Sequence, residues 1–211
     1  AGLKEVAKLQ KLQRLSLDST KITDKGLKEV SKLQKLEFLS LQLTQNTDAG
    51  LKEMANLQSL THLNLRATDI TDAGLKELAK LQKLEWVLLD NTQITDAGLK
   101  EMANLQSLTH LNLRATGITD AGLKDVAKLK KLKWLNLGDC KQITGTGFRE
   151  VTKLQKLTEL KLSLTQITDT DLEEVAKLQK LKYLWLDDTK VTDEGVAKLK
   201  KALPNCRTVG P

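Results

Sequence analysis

The sequence contains only two histidines, His62 and His110, and these are the side chains best suited to acid–base or metal chemistry near neutral pH. Each lies in the phrase THLNLRAT, and the 22 residues from 47 to 68 recur unchanged from 95 to 116. A shared zinc ion would need both rings within about 2 Å of the metal. Whether the rings can meet depends on the elements that carry the two copies.

Few other residues are spaced for catalysis. No set of serine, histidine and carboxylate can be placed together, and the recurring glycines are too far apart for a phosphate-binding loop. Asp139, Asp187 and Asp188 form an acidic group suited at most to weak calcium binding, because its members come from different repeats. The sequence therefore predicts no catalytic residue, no metal site and no cofactor, and we interpret the protein as a non-enzyme.

The elements that position these residues are internal repeats. Glycine recurs every 24 residues, with one interval of 25. At one position of this series the glycine is replaced by Asp171. The unit reads approximately T-D-x-G-L-x-x-L-x-x-L-x-x-L-x-x-L-x-L-x-x-T-x-I, and no linker interrupts it. This period predicts one continuous array of about eight repeats over residues 1–211.

Each unit divides into a helix and a strand. In residues 71–81, Leu75 and Leu78 have helical spacing, and the Thr-Asp at the start is typical of a helix N-cap. In residues 84–92, Leu84, Val87 and Leu89 are expected to point inward from a strand. Stacked units predict an α/β solenoid with a parallel sheet on the concave face, helices on the convex face and leucines between them.

The phrase L-x-x-L-x-L-x-x-T-x-I-T-D-x-G-L resembles the leucine-rich-repeat family over nearly the whole chain. It is most similar to bacterial 24-residue repeats and to the cysteine-containing repeats of F-box proteins. The segment LNLGDCKQITGTGF at 135–148 carries Cys140 where other units carry threonine. The resemblance implies a right-handed β–α solenoid. It implies no particular ligand, because the family is defined by its scaffold.

Threonine occupies the turn position where the family usually has asparagine or cysteine. A buried hydroxyl at this position is expected to bond backbone amides of the adjacent turn, forming a ladder through the stack. The threonines concerned are Thr20, Thr44, Thr68, Thr92, Thr116, Thr165 and Thr189.

The two ends of the array depart from the template. Residues 1–22 lack the leading Thr-Asp and are expected to form a truncated first repeat, which should be the least stable unit because one face has no neighbour. Residues 193–211 contain Pro-Asn and Gly-Pro turns and are expected to form a C-terminal capping half-repeat. Cys206 should point inward there, far from Cys140.

Variation between repeats is concentrated at the outward positions of the strands, which form four columns on the predicted concave face. His62 and His110 fall in one column about 10 Å apart with Trp86 between them, too far apart to share a zinc ion. Five of the six aromatic residues lie in the first two columns, whereas Phe148 replaces a core leucine. The fourth column contains Ser19, Leu43, Ala67, Asn91, Ala115, Asp139, Leu164 and Asp188.

Aromatic residues and arginine dominate the hot spots of binding surfaces, so the outward columns are the candidate ligand-binding site. We predict that a ligand is contacted by Arg14, Phe38, His62, Asn64, Arg66, Trp86, Leu88, Asp90, His110, Asn112, Arg114, Trp134, Asn136, Glu159, Lys161, Tyr183, Trp185 and Asp187.

The formal net charge is +7, but most lysines fall in the helix phrase. The four columns contain four positive and six negative residues, so the predicted front carries −2 (4 − 6). A specific nucleic-acid groove should be basic where its aromatic residues lie, so this distribution opposes one. No apolar stretch is long enough to insert into a membrane. The expected partner is therefore a protein or peptide.

Three functions are consistent with this pattern. The favoured one is a monomeric binding module that uses its concave face. The second is the substrate-recognition part of an F-box-like adapter or bacterial effector, which needs a separate recruiting domain. The third is a spacer or an engineered repeat scaffold. In that case the repeated outward residues are simply copied whenever the 22-residue segment is duplicated. Two free cysteines and the absence of a signal-peptide pattern favour the cytoplasm.

Overall fold

A computed structural model describes residues 2–210, and within that range nine parallel strands form a single sheet in chain order. Residues one repeat apart are paired, so that His62 pairs with Trp86 and Trp86 with His110. The strands are Arg14–Ser16 (β1), Phe38–Ser40 (β2), His62–Asn64 (β3), Trp86–Leu88 (β4), His110–Asn112 (β5), Trp134–Asn136 (β6), Glu159–Lys161 (β7), Tyr183–Trp185 (β8) and Arg207–Val209 (β9).

A helical segment precedes each strand, which confirms the predicted α/β solenoid. The α-helices are Gly2–Val6 (α1), Asp24–Val30 (α2), Asp48–Met54 (α3), Asp72–Leu78 (α4), Asp96–Met102 (α5), Leu123–Val126 (α6), Phe148–Val151 (α7), Leu172–Val175 (α8) and Asp193–Ala202 (α9). Short 3-10 segments, Asp120–Gly122 and Asp169–Asp171, lead into α6 and α8. The helix and strand predicted at 71–81 and 84–92 are α4 and β4, both shorter than the apolar pattern because turns close each unit.

Leucine fills the space between the sheet and the helices. Leu84, Val87 and Leu89 of the fourth unit are fully buried, as their spacing predicts. Full burial of one such side chain stabilises the fold by about 2 kcal/mol relative to exposure. Phe148 takes the place of a core leucine and is also buried. One apolar cluster thus runs from the second unit to the last.

The Thr-Asp-x-Gly phrase joins each repeat to the next. Thr71 caps α4 by accepting a hydrogen bond from the backbone N–H of Ala73. Asp48 of the preceding repeat accepts from the backbone N–H and the hydroxyl of Thr71 at 2.9 and 2.6 Å. Its carboxylate passes over Gly74, where a Cβ would overlap it. Close approach therefore explains the recurring glycine, and the aspartate links repeats instead of capping its own helix.

The 25-residue step interrupts this aspartate series. Gly145 stands where other units have aspartate, and its φ is +100°. Asp171 stands where other units have glycine and turns back to Thr168, accepting from its N–H and hydroxyl at 2.8 Å each. The Asp171 carboxylate fills the space that a side chain on Gly145 would need. The two departures from the repeat compensate each other.

The predicted ladder of threonine hydroxyls bonded to backbone amides of the adjacent turn is not formed, so that prediction is wrong. Of the seven turn threonines only Thr189 accepts from a backbone amide, that of Val191 in its own repeat at 3.4 Å. Their hydroxyls instead donate to the carbonyl oxygen three residues earlier in the same repeat, as Thr68 does to Leu65 at 2.6 Å and Thr92 to Leu89 at 2.5 Å. The other five threonines do the same. A hydroxyl is satisfied by the nearest carbonyl with a free lone pair, and the strand end supplies that carbonyl.

The first and last units differ in burial. Helix α1 has no buried residue, and Leu9 is 56% exposed. At the other end β9 continues the sheet, and Cys206 points inward, where burial raises the pKa of its thiol to about 11. Cys140 and Cys206 are both buried and free. The terminal residues Ala1 and Pro211, which bound the predicted single unit, lie outside the described residues.

Candidate ligand-binding face

The outward side chains of the strands lie side by side on one surface, which we call the concave face. In β2 to β8 the central residue is buried, as with Leu63, Val87 and Leu111, so the first and third residues point outward. Direct register brings equivalent residues of neighbouring repeats together. The first column contains Arg14, Phe38, His62, Trp86, His110, Trp134, Glu159, Tyr183 and Arg207.

Five rings of the first column pack in a row, which we call the aromatic ladder: Phe38, His62, Trp86, His110 and Trp134. Successive ring centroids are 6.3, 5.6, 3.6 and 6.3 Å apart. The last three pairs are stacked, with interplanar angles of 25°, 16° and 27°. Trp86 therefore separates the two histidines, as the sequence predicts.

Cations lie over both end rings of the ladder. The guanidinium of Arg14 is 4.2 Å from the centre of Phe38, and the ammonium of Lys161 is 5.5 Å from the centre of Trp134. Lys161 also lies 4.5 Å from Trp185, which packs against Tyr183. Because neighbours occupy the ring faces, the ladder presents ring edges outward. Aromatic edges carry partial positive charge, so they favour electronegative atoms.

Threonines orient both histidine rings. The Thr61 hydroxyl donates to the carbonyl of Glu37 at 3.0 Å and lies 2.8 Å from Nδ1 of His62. The hydroxyl has a single hydrogen, which it donates to the carbonyl oxygen. Nδ1 of His62 must therefore be protonated and donate to the hydroxyl oxygen. The neutral ring is left with Nε2 as its acceptor. Thr109 holds His110 in the same way.

Burial between neighbouring rings lowers the pKa of His110 below its ordinary value of 6.5. The positive charge of Lys133 lowers it further, with a smaller effect from His62, and the carboxylate of Glu85 opposes the shift. The shift favours the neutral form of the His110 ring.

The three asparagines of the second column support the turns beneath the face. The Oδ1 atoms of Asn64, Asn112 and Asn136 accept from the backbone N–H two residues later, at 3.0, 3.1 and 2.9 Å. Such bonds are typical of asparagine in turns. Asn136 is buried as well. These residues were predicted to contact ligand, but their amide oxygens are already used within the chain.

The two copies of the duplicated phrase place their arginines in different surroundings. Arg66 Nε lies 3.0 Å from Oδ2 of Asp90, which is only 4% exposed. Burial raises the pKa of Asp90, and the charge of Arg66 opposes that shift. Arg114 is exposed and makes no ion pair with any carboxylate in residues 2–210. The structure therefore places Asp90, a predicted contact, underneath Arg66.

The remaining predicted residues lie on the face around the ladder. Leu88 is half-buried and lines a small apolar pocket of about 40 Å³ with Phe38, His62 and Trp86. Glu159 and Tyr183 pair in register beyond the ladder. Asp187 accepts a hydrogen bond from Ser163 at 3.0 Å.

A family model described as a leucine-rich repeat region matches residues 3–209. The chain belongs to the leucine-rich-repeat family. The leucine-rich-repeat scaffold mediates binding to protein partners, and its fold is that of a non-enzymatic binding scaffold. No curated protein sequence matches the chain.

Two solved structures of bacterial leucine-rich-repeat proteins are similar to the chain. One is internalin C2 of Listeria monocytogenes, with 27% identity, a TM-score of 0.73, and coverage of 94% of this chain and 80% of that one. The other is an internalin, inlF, of the same organism, with 24% identity and a TM-score of 0.71. That match covers 97% of this chain but 62% of inlF, and at this identity it shows the fold alone.

The fourth predicted column belongs to the leucine-rich-repeat turn and not to the strand surface. Its eight residues, from Ser19 to Asp188, have φ between 50° and 63°. Bulky residues rarely adopt this left-handed conformation, so Leu43 and Leu164 carry strain, and both are exposed. None of the eight is glycine, so the residue types do not reveal the turn.

The ninth strand adds Arg207 and Val209 to the leucine-rich-repeat face. Sequence reasoning missed them because Thr208 takes the inward position that leucine holds in most other repeats. Within residues 2–210, no group of three or more histidine, cysteine or acidic side chains is arranged to hold a metal ion. In the same range no helix is long and apolar enough to cross a membrane.

Proposed function

We propose that this leucine-rich-repeat chain is a monomeric, non-catalytic module that binds a protein or peptide along its aromatic ladder. The observation that carries the proposal is the ladder itself. Five rings on five neighbouring strands are held in one row, and Trp86 at its centre is 39% exposed. Rigid rings on a preformed sheet lose little conformational entropy when a ligand covers them.

The groups that the ladder exposes suit a polypeptide ligand. Ring edges favour carbonyl and carboxylate oxygens, and each histidine Nε2 accepts from an N–H group. A polypeptide backbone supplies both kinds of group at regular intervals. Nucleobases would need open ring faces on which to stack, and neighbours occupy those faces. The ladder therefore favours protein over nucleic acid.

The convex face lacks an equivalent feature. An acidic residue near the end of several helices forms an ion pair with a lysine three residues later, in the turn that follows, as Glu29 does with Lys32 and Glu77 with Lys80, each at 2.6 Å. Exposed pairs of this kind contribute little stability and keep the surface solvated. Lysines in the turns that follow the helices thus account for the basic net charge without implying a specific polyanion partner.

Among the alternatives raised by the sequence, a bacterial recognition module gains support from the similarity to internalin C2 of Listeria monocytogenes. No feature of residues 2–210 favours an F-box adapter. A spacer or bare engineered scaffold would have no use for a row of oriented, partly exposed rings.

A comparative capture experiment tests the proposal. The immobilised wild-type chain, a Trp86→Ser/Trp134→Ser variant and a convex Lys76→Ser/Lys80→Ser variant are exposed to the same protein mixture. We expect specific partners to be retained by the wild type and the convex variant but lost from the ladder variant. Equal retention by all three, with circular dichroism showing intact folds, would count against the ladder as the binding surface.

A further inference from the structure

The buried carboxylate of Asp90 shows how the concave face holds an anion. Its Oδ2 lies 3.0 Å from Nε of Arg66 on one side, and its Oδ1 accepts from Nδ2 of Asn112 at 2.8 Å on the other. The two donors come from the preceding and the following repeat. Asp90 is thus a carboxylate bound between an arginine and a second donor.

The same arrangement recurs two repeats later, except that the chain supplies no carboxylate. Arg114 replaces Arg66 within the identical phrase, Gly138 replaces Asp90, and Lys161 on β7 replaces Asn112. The backbone of Arg114 is held by Oδ1 of Asn112 at 3.1 Å. A Cβ on Gly138 would lie 3.1 Å from Oδ1 of Asn136, 3.3 Å from the carbonyl oxygen of Ser163 and 3.9 Å from Cγ of Arg114, so it would be tight against the two oxygens and in ordinary contact with the arginine.

The acidic residues around Gly138 are engaged elsewhere or lie in other columns. Asp139 is 4.0 Å from the ammonium of Lys141, and Asp187 accepts from Ser163. Glu159 lies in the first column between Trp134 and Tyr183. None of them forms an ion pair with Arg114 in the described part of the chain. Asp90 is close enough for the charge of Arg114 to lower its pKa, but its carboxylate is already bound by Arg66 and Asn112. Arg114 and Lys161 therefore flank Gly138 in the repeat register as two cations that form no ion pair in the described part of the chain.

We propose that Arg114 and Lys161 bind the carboxylate of an acidic side chain of the ligand over Gly138, in the manner in which Asp90 is bound between Arg66 and Asn112. This inference rests on the proposed ligand-binding function and adds the chemistry of one subsite. Arginine supplies directed donors and lysine a mobile point charge, and both suit a carboxylate.

An acidic side chain fits better than a chain terminus because aromatic residues continue on both sides of the subsite. Trp134 lies on β6, and Trp185 lies on β8, with Lys161 between their rings. A ligand that covers both tryptophans must pass across the subsite, so it offers a side chain there. The ligand class is therefore a polypeptide with an aspartate or glutamate facing Gly138.

Sodium acetate is a direct probe, because Arg66 provides a matched control in an identical 22-residue phrase. We expect the Nε–H resonance of Arg114 to shift saturably in an acetate titration, relative to sodium chloride at equal ionic strength, while that of Arg66 stays in place. In Gly138→Asp the chain supplies its own carboxylate, so the Arg114 response should disappear. In Asp90→Gly, Arg66 should gain a response.

Equal responses of Arg114 and Arg66 in the wild type would overturn the subsite. A full Arg114 response in a folded Gly138→Asp variant would do the same. Circular dichroism checks each fold, and the Gly138→Asp result decides the matter if Asp90→Gly does not fold.

Selection from a random peptide library displayed on phage separates failure of this inference from failure of the proposed function. We expect selected peptides to carry an acidic residue at one fixed position and to bind Arg114→Ala at least tenfold more weakly. Their affinity for Arg149→Ala, which changes an exposed arginine of helix α7, should be unchanged. C-terminal amidation of the peptides should leave their affinity intact. Peptides that need Trp86 but show no acidic preference, or that need a free C-terminus, would overturn the subsite and leave the proposed function standing. If no peptides are selected, the proposed function loses support and the acetate titration still decides the subsite.

Discussion

Trp86 and His110 are stacked with their ring centroids 3.6 Å apart and their planes 16° apart, the closest pair in the aromatic ladder. The contact joins β4 to β5 on the outer side of the sheet, opposite the leucine core. Aromatic pairs of this kind contribute about 1 kcal/mol beyond the area that they bury. The concave face is therefore ordered by its own side chains before a ligand arrives.

The Trp86–His110 contact predicts a pH dependence. We expect His110 to titrate below 6.5 in the folded protein, because burial is the largest cause of its shift. The folded state then binds the proton less tightly than the unfolded chain. The contribution of His110 to stability is complete above the unfolded pKa and is lost as the pH falls through the folded pKa. NMR titration of the imidazole carbons measures the value directly.

Two variants separate the causes of the His110 shift. Trp86→Ala uncovers one face of the imidazole, so the pKa should rise towards 6.5, and Lys133→Ala should raise it by less. An ordinary pKa in the wild type, or no change in Trp86→Ala, would show that the stack does not desolvate the ring.

The paired departures at Gly145 and Asp171 predict a coupled effect on stability. Gly145→Asp places a second carboxylate where Asp171 lies, and Asp171→Gly leaves the donors of Thr168 without an acceptor. Each single change should destabilise the protein by about 1–2 kcal/mol. The double variant restores Thr-Asp-x-Gly and should recover at least about 1 kcal/mol of the summed loss. Urea unfolding of all four proteins tests this, and strict additivity would refute the coupling.

The first unit should open before the rest of the solenoid. Helix α1 buries no side chain, and Leu3, Leu12, Leu15 and Leu17 are only partly buried. Backbone amides exchange fastest where local unfolding exposes little buried apolar surface. Hydrogen exchange followed by mass spectrometry should therefore show residues 2–22 exchanging ahead of residues 84–118. Slower exchange in residues 2–22 would mean that the unit is stabilised by something other than burial.

Single-stranded DNA should bind weakly and independently of the ladder. The turns that follow the helices carry the excess positive charge, so affinity for an oligothymidine should fall steeply with salt. Because neighbouring side chains occupy the faces of Trp86, its replacement by alanine should leave the DNA affinity unchanged. Fluorescence anisotropy at several salt concentrations measures both effects. Loss of binding in Trp86→Ala would mean that bases do stack on the ladder.

The repeat period predicted the fold and the order of the ladder. A fixed spacing of 24 with inward leucines sets the register, which places Trp86 between His62 and His110. The period also predicted the threonine cap at Thr71. It did not predict that Asp48 reaches Thr71 in the next repeat. The aspartate and the threonine are present in most units. Comparison of the repeats therefore does not show that the aspartate of one unit contacts the threonine of the next.

The environment of the individual site residues could not be obtained from the pattern. Alternation identifies Asp90 and Arg66 equally as outward residues, and only the packing of neighbouring repeats shows that one covers the other. The asparagine side chains likewise turn back to their own backbone, which their positions do not reveal. Strand β9 was missed because Thr208 breaks the leucine spacing.

Calorimetry of a ligand obtained by capture or peptide selection tests the central claim most directly, with circular dichroism as the folding control. Trp86→Ala and Trp134→Ala should each weaken binding by about 2 kcal/mol or more, roughly 30-fold. Lys76→Ala in helix α4 and Lys80→Ala in the turn after it should change affinity by less than about twofold. If the tryptophan variants bind as tightly as the wild type while the lysine variants lose binding, the ligand binds the convex helices and the aromatic ladder is not the binding surface.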